Sequence, residues 1–364
     1  MNPTSLLRLS PILLAALAPL AAQAKLDLRV SAPKGTTAWF QSKTKMESSI
    51  DMGGQQMEMG NETTHTFALE IVDVAADGTL TANVKFLRIH GSMTVPMMGD
   101  IDFDSATPSD DDDEGPGAIG NGMVALAGKT FAITVAKNGE VQEVKGVKEA
   151  LAEARKKAGR MGAQMLGGSL NEGALKRQIE GLFGKLPAEP TAVGGKWQRE
   201  TNQASHGVPV ATASKYTLAK ADDATLELSI EGTVSTATAE KAAAKPAENG
   251  KAEARGGDDD DADSTARQMM EKMKISNGKI AGKEVVARKD GLVQRSESTM
   301  SMDMSMPSPM GGGDMSITQK TTMVIERSTK DAAEGGAKPK AEDKKAEDKK
   351  GEDKKGEKKG DGGK

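Results

Sequence analysis

The strongest constraint on this chain is a period of two. Leu226, Leu228 and Ile230 alternate with Glu227, Ser229 and Glu231, and Leu80, Ala82, Val84 and Phe86 repeat the spacing with more mixed partners. Successive side chains of a strand point to opposite faces, so this alternation describes half-buried antiparallel strands. Many such segments are long and are joined by glycine-rich hairpins. They predict a mainly β fold of the α+β kind, built on a large curved antiparallel sheet or half-barrel.

The chain also echoes itself. "GTTAWFQSKT" around Trp39 resembles "GGKWQRET" around Trp197, and these are the only tryptophans. "DGTLTANVKFLRIHG" resembles "DATLELSIEG". "GKTFAITVAKNGEVQEV" resembles "GKEVVARKDGLVQRS", with turn pairs Asn138-Gly139 and Asp290-Gly291 that suit tight hairpins. "MGGQQMEMGNETTHTFALEI" resembles "MGGGDMSITQKTTMVIE", although the first lies early in its half and the second late. Two pseudo-repeated halves account for these echoes.

Between the halves the period changes. Val147, Leu151, Ala154, Ala158, Met161 and Met165 step by three and four, which predicts a helix broken at Gly167-Gly168. Ser169 and Glu172 have capping-box spacing, opening a second helix with Leu175, Ile179, Leu182 and Phe183 on one face. A helical hairpin with one apolar face covers something, and the inner face of the sheet is the candidate.

The ends read differently. Arg8, the apolar run "PILLAALAPLAA" and Ala22-Gln23-Ala24 have the form of a signal peptide cleaved before Lys25. That run is too short to span a bilayer, and no later segment is longer, so no membrane span is expected. The chain has no cysteine, which removes lipid anchoring, disulfides and thiol chemistry from its expected repertoire. Loss of Arg8 with the signal moves the formal net charge from −4 to −5, against nucleic acid as a partner. The resulting division is a signal peptide at 1–24, a first β half at 25–146, a helical hairpin at 147–184 and a second β half at 185–328. That second half carries a disordered insertion at about 237–263, and a disordered charged tail of "EDKK" repeats fills 329–364.

"LPAEPTAVGGKW" (186–197) opens the second half with the spacing L-P-x-x-P-x-x-x-G-x-x-W. With the exported start and the paired "G-K … N/D-G" hairpins, it resembles a family of exported bacterial proteins of unknown function, across most of 26–328. The resemblance carries over no catalytic residue. More loosely, the expected sheet with helices on its inner face is similar to the half-barrel of outer-membrane lipoprotein carriers, an analogy of fold alone.

Chemistry-bearing residues are sparse. Met300, Met302, Met304 and Met306 alternate with Ser301, Asp303 and Ser305, so a strand places all four on one face. Met315, Met323, Ile317 and Ile325 continue that phase, and Met52, Met57 and Met59 surround a matching turn. Thioethers favour Cu(I), and a cysteine-free exported protein would have to use them. With only nine aromatic residues in the chain, methionine filling a core or lumen is the simpler reading, and an adaptable lipid-type pocket lies between the two.

Three other patterns lead nowhere. His65, His90 and His206 are scattered outside any ligand spacing, with His65 in phase with Phe67 and Leu69. "GNGMVALAGKT" (120–130) imitates a phosphate loop but has Met123 where glycine is required, and it reads as loop running into strand. The acidic runs at 110–114 and 258–263 lack the spacing of a calcium loop.

The reading is of an exported, non-enzymatic envelope protein, periplasmic or secreted and not lipid-anchored. Its expected partner is a lipid-like small molecule or another envelope protein. The expected ligand contacts are Met300, Met302, Met304 and Met306 with Leu151, Met161, Met165, Leu175 and Ile179. No cofactor is expected. The alternative is a periplasmic copper-binding protein that uses the same four methionines as ligands.

Overall fold

A computed structural model describes residues 24–334 apart from 53, 97, 110–114, 167–170, 206–207, 238–272 and 308–313. Its strands are β1 (Thr37–Met52), β2 (Gln55–Val74), β3 (Leu80–Val95), β4 (Gly99–Asp104), β5 (Thr130–Val135), β6 (Val141–Val144), β7 (Lys196–Ser205), β8 (Val208–Ala221), β9 (Thr225–Thr236), β10 (Lys274–Ala287), β11 (Val293–Pro307) and β12 (Asp314–Ser328). All belong to one open antiparallel sheet in the order β6-β5-β3-β2-β1-β12-β11-β10-β9-β8-β7, with β4 paired to β3.

That order gives the echoes a shape. β1-β2-β3-β5-β6 and β7-β8-β9-β10-β11 are two five-strand runs laid down in the same sequence. Each pair of neighbours is antiparallel, so the two runs also share a polarity. β12 stands between them, paired with β1 on one side and β11 on the other. The two echoing hairpins close on glycines in the left-handed region, Gly139 at φ 84° and Gly291 at φ 72°. A Cβ on Gly139 would meet the Gly184 carbonyl oxygen at 2.1 Å, and one on Gly291 the Val30 Cα at 2.5 Å. Both turns thus need glycine for conformation and for close approach.

The segment before β1 ties these turns together. Val30 N donates to Lys137 O at 2.7 Å and Ser31 N to Asp290 O at 3.0 Å, while Leu28, Val30 and Ala32 are buried. Leu26 exchanges backbone hydrogen bonds with Thr191. The N-terminal segment therefore crosses from the first half to the second, a connection that no local pattern announces.

The helices are α1 (Pro116–Val124), α2 (Val147–Lys157), α3 (Gly159–Leu166), α4 (Glu172–Glu180) and α5 (Lys330–Glu334). All five depart from expectation. The phosphate-loop lookalike is the end of α1, a turn and β5, and not a loop running into strand. Gly120 lies inside α1, where an added Cβ would stand 3.2 Å from Phe103 Cβ, so this glycine serves close packing on β4. The helix expected from Val147 to Met165 is two helices, because Gly159 adopts φ 67°. α4 is capped by Asn171, whose side chain accepts from Ala174 N at 2.9 Å, and Ser169 of the expected capping box lies outside the described residues. Finally, Lys330–Glu334 are helical with Ala333 buried, so the fold extends past Lys330. The rest of the tail and the 238–263 part of the insertion lie outside the described residues.

One apolar core joins these parts. Phe40, Phe67, Phe86 and Phe131 on the sheet pack with Leu151, Leu175, Ile179 and Phe183 from the helices. Phe67 and Phe86 meet edge to face at 4.6 Å, and Phe86 and Phe131 at 5.6 Å.

Candidate functional site

The register of the four central strands places the methionines. Residues directly opposite each other in antiparallel strands share a face. Reading across β11, β12, β1 and β2, one row is Met304, Ile317, Ile50 and Met57; the next is Met302, Gln319, Ser48 and Met59; the third is Met300, Thr321, Met46 and Asn61. A fourth row is Ser298, Met323, Thr44 and Thr63, and a fifth is Ser296, Ile325, Ser42 and His65. Met306 lies opposite Met315 at the far end. The fifth row joins the helix-covered core, where Ile325 is buried and Gly181 at the end of α4 abuts it. Beyond it the same face is lined by methionine, isoleucine and small polar residues. Along β12, Met315, Ile317 and Gln319 are half-buried while Asp314, Ser316, Thr318 and Lys320 are exposed, which marks the methionine face as the sheltered one.

The expected contact residues therefore divide. Leu151, Leu175 and Ile179 are buried in the core cluster, with Ile179 wholly inaccessible. Met302 is 9% exposed and Met300, Met304 and Met306 are half-buried on the extension of the sheet. None of those four belongs to the core cluster, so helix and methionine residues do not converge on one cavity. Met161 and Met165 lie on α3, but their side chains are outside the described residues.

The fifth row is the one that sequence reasoning missed. Ser42 is fully inaccessible, and its Oγ has no hydrogen-bond partner among the described residues. His65, its cross-strand neighbour, stacks on Phe67 at 6.0 Å, and its Nδ1 is shielded and likewise without partner. Burial pushes the histidine's pKa down to about 3, with the nearby His90 adding to the effect, so the ring is neutral at ordinary pH. A signal was present in the sequence, since Ser42 and His65 interrupt apolar phases that run through Phe40 and Phe67.

Further along the same row, Glu284 is 3% exposed and accepts from Lys185 N at 2.9 Å. Burial raises its carboxyl above the ordinary range, and burial lowers the Lys185 ammonium. A displaced acid and base in one cluster is the usual appearance of a reactive site. The bonds argue otherwise. Lys185 Nζ donates to Phe183 O at 3.2 Å and also to Glu180 O, completing the end of α4. Trp197 Nε1 donates to Lys185 O at 2.9 Å, and Arg199 donates to Leu186 O at 3.1 Å. The "LPAEPTAVGGKW" motif is thus a clasp between α4 and β7.

On the opposite face, His90 faces Asp104 across β3 and β4. Arg88 takes both oxygens of that carboxylate, Nη2 to Oδ2 at 2.5 Å and Nε to Oδ1 at 3.1 Å, and holds it below the usual carboxylate range. Beside them lies an open cleft of about 540 Å³ lined by Lys85, Leu87, Arg88, Ser105, Ala106, Ala333 and Glu334. Among the described residues no group of three histidines or carboxylates is placed to hold a metal, and no helix is long and apolar enough to cross a membrane. His206 and both acidic runs lie outside the described residues.

Comparison with known proteins gives one match in sequence. A family described as "Family of unknown function (DUF6263)" matches residues 77–329. No curated protein matches the chain. Solved structures align over most of the chain but with little geometric agreement. Pseudomonas aeruginosa OccK7 (OpdD) is 6% identical, over 81% of this chain and 99% of that one, at a TM-score of 0.20. DynF from the dynemicin biosynthesis pathway of Micromonospora chersina is 4% identical, over 83% and 85%, at 0.18. A DUF1329 family protein from Desulfovibrio piger is 9% identical, over 82% and 90%, at 0.12. Scores this low carry no argument about function.

Proposed function

The chain belongs to DUF6263, a family of unknown function, and we propose that this member is an exported, non-enzymatic binding protein of the cell envelope, which holds an apolar, lipid-like ligand against its methionine-lined strands. The observation that carries the reading is the set of rows beyond the core: Met300, Met302, Met304 and Met306 share a sheltered face with Met46, Met57, Met59 and Ile317. Unbranched thioethers adapt to irregular apolar shapes, which suits an acyl chain better than a fixed polar substrate. The non-enzymatic part is supported by the bonding of the displaced acid and base, both engaged in closing the end of α4. Export is supported by the signal-peptide form of residues 1–24 in the sequence.

Native mass spectrometry on protein purified gently from its own envelope fraction tests this. The expected result is a polypeptide beginning at Lys25 that carries a mass of several hundred daltons. A bare polypeptide that also takes up no apolar probe would overturn the ligand, and a chain that retains residues 1–24 would overturn export.

A second reading has one observation in its favour. Met306 and Met315 are direct cross-strand partners. Their Cβ atoms are therefore about 5 Å apart, within reach of a shared Cu(I).

A further inference from the structure

We infer that the methionine rows are also a modification site: oxidation of their thioethers to sulfoxides by a peroxide makes the face polar and releases the apolar ligand, while the fold is kept and reduction restores uptake. This rests on the apolar-ligand reading above and adds its regulation.

The observation that carries it is where methionine is used. Among the described residues the core cluster is built from leucine, valine, isoleucine, alanine and phenylalanine. Met123 is the one methionine among its buried members, with Met93, Met98 and Met323 packed at its margin. Beyond the core the choice reverses. β11 places Met300, Met302, Met304 and Met306 on one face, and Met315 on β12, Met46 on β1 and Met57 and Met59 on β2 extend it. A strand of this chain can carry an apolar face without methionine, as Leu226, Leu228 and Ile230 do on β9. Strands in general favour β-branched and aromatic residues. Methionine is thus concentrated where a side chain can change polarity without breaking the core.

Exposure fits the chemistry. All of these eight but Met302 are half-buried, open to a solute as small as hydrogen peroxide. The chain has no cysteine, so the thioether is its only oxidisable sulfur. A sulfur lone pair attacks one oxygen of the peroxide, forming the S–O bond as the O–O bond breaks. The sulfur gives up two electrons, and the departing hydroxide takes the proton from the sulfur-bound oxygen and leaves as water. The product is a polar, chiral side chain that disrupts methionine-rich apolar surfaces. Against an acyl chain its oxygen would find no donor, so the oxidised face prefers water to the ligand. Reduction returns the thioether and with it the apolar face.

The test treats the full mature chain with dilute hydrogen peroxide and removes the oxidant. Peptide mass mapping then reads the sites, circular dichroism the fold, and the apolar fluorescent probe 1-aminoanthracene the uptake. Met300, Met304 and Met306 should gain oxygen at least about tenfold faster than the core residue Met123. Circular dichroism should be unchanged while affinity for the probe falls by about tenfold or more. Methionine sulfoxide reductases of both epimer specificities should restore it. The variant Met300→Leu, Met302→Leu, Met304→Leu and Met306→Leu, measured against its own untreated uptake, should lose a smaller fraction than the native protein. Oxidation of the face no faster than of Met123 overturns the site. Uptake unchanged by oxidation of the face overturns the regulation and leaves the apolar site standing. So does a loss of uptake that accompanies loss of the fold, that the reductases do not reverse, or that is as large in the variant. Absence of probe uptake by the untreated native protein overturns the apolar site and its regulation together.

Discussion

His65, half-buried with its Nδ1 shielded, shows how one side chain makes stability depend on pH. Its folded pKa of about 3 lies below the unfolded value near 6.5, so between those values the unfolded chain binds the extra proton. Stability is then complete above pH 6.5 and falls with acidification, by at most about 1.4 kcal/mol per pH unit from this residue. Replacement by phenylalanine should flatten that dependence, read as the difference in urea midpoint between pH 7.5 and pH 5; equal slopes in both proteins would refute it. Glu284 acts with the opposite sign. Its raised carboxyl holds a proton in the fold where the unfolded chain has lost it, so stability declines as pH rises from about 4.5 through the folded value. Glu284→Gln keeps an acceptor for Lys185 N. The variant's advantage in melting temperature over the native protein should therefore widen from pH 5 to pH 8, and a variant less stable at pH 8 would contradict the argument.

At the scale of elements, β11 separates packing from metal binding. Exchange of methionine for leucine conserves volume and costs less than about 1.5 kcal/mol per site. The quadruple variant Met300→Leu, Met302→Leu, Met304→Leu and Met306→Leu should fold and still take up an apolar probe. Cu(I) titration discriminates: affinity present in the native protein and lost in the variant supports thioether ligation, whereas affinity retained in the variant removes these four as ligands. Element by element, legibility followed the clarity of the local period. β9 was plain because Leu226, Leu228 and Ile230 are all buried on one face. α1 was hidden because its sequence, "PGAIGNGMV", has three glycines and no clean stripe at helical spacing. The break at Gly159 was hidden too, since the apolar steps run on through Ala158 to Met161 without a change of phase.

In the molecule as a whole, β12 is the seam. It pairs with β1 over thirteen register positions, and Ile325 on it is 1% exposed beneath the end of α4. The N-terminal segment laces the two echoing turns as well, so the halves should unfold together. Trp39 lies on β1 and Trp197 on β7, and retaining one at a time provides a reporter in each half. The urea transitions of Trp39→Phe and Trp197→Phe should coincide with each other and with the loss of circular dichroism. Separate midpoints would mean that each half is stable alone. Ile325→Ala, by opening a cavity under α4, should lower both reporters' midpoints together, at a cost of about 2–5 kcal/mol.

Local chemistry carried the strands, the hairpin turns at Gly139 and Gly291, the helices between the halves and the shared face of the four methionines. Each of these follows from neighbours a few residues apart, where side-chain period and backbone preference act directly. Only the tertiary structure decided that β12 joins the halves, that Leu26 pairs with Thr191, and that Leu151, Leu175 and Ile179 are spent on the core away from Met300–Met306. Those outcomes depend on which edges and faces meet across hundreds of residues. The same holds for Ser42 and His65: each reads alone as a polar interruption, and only the register of β1 against β2 makes them neighbours.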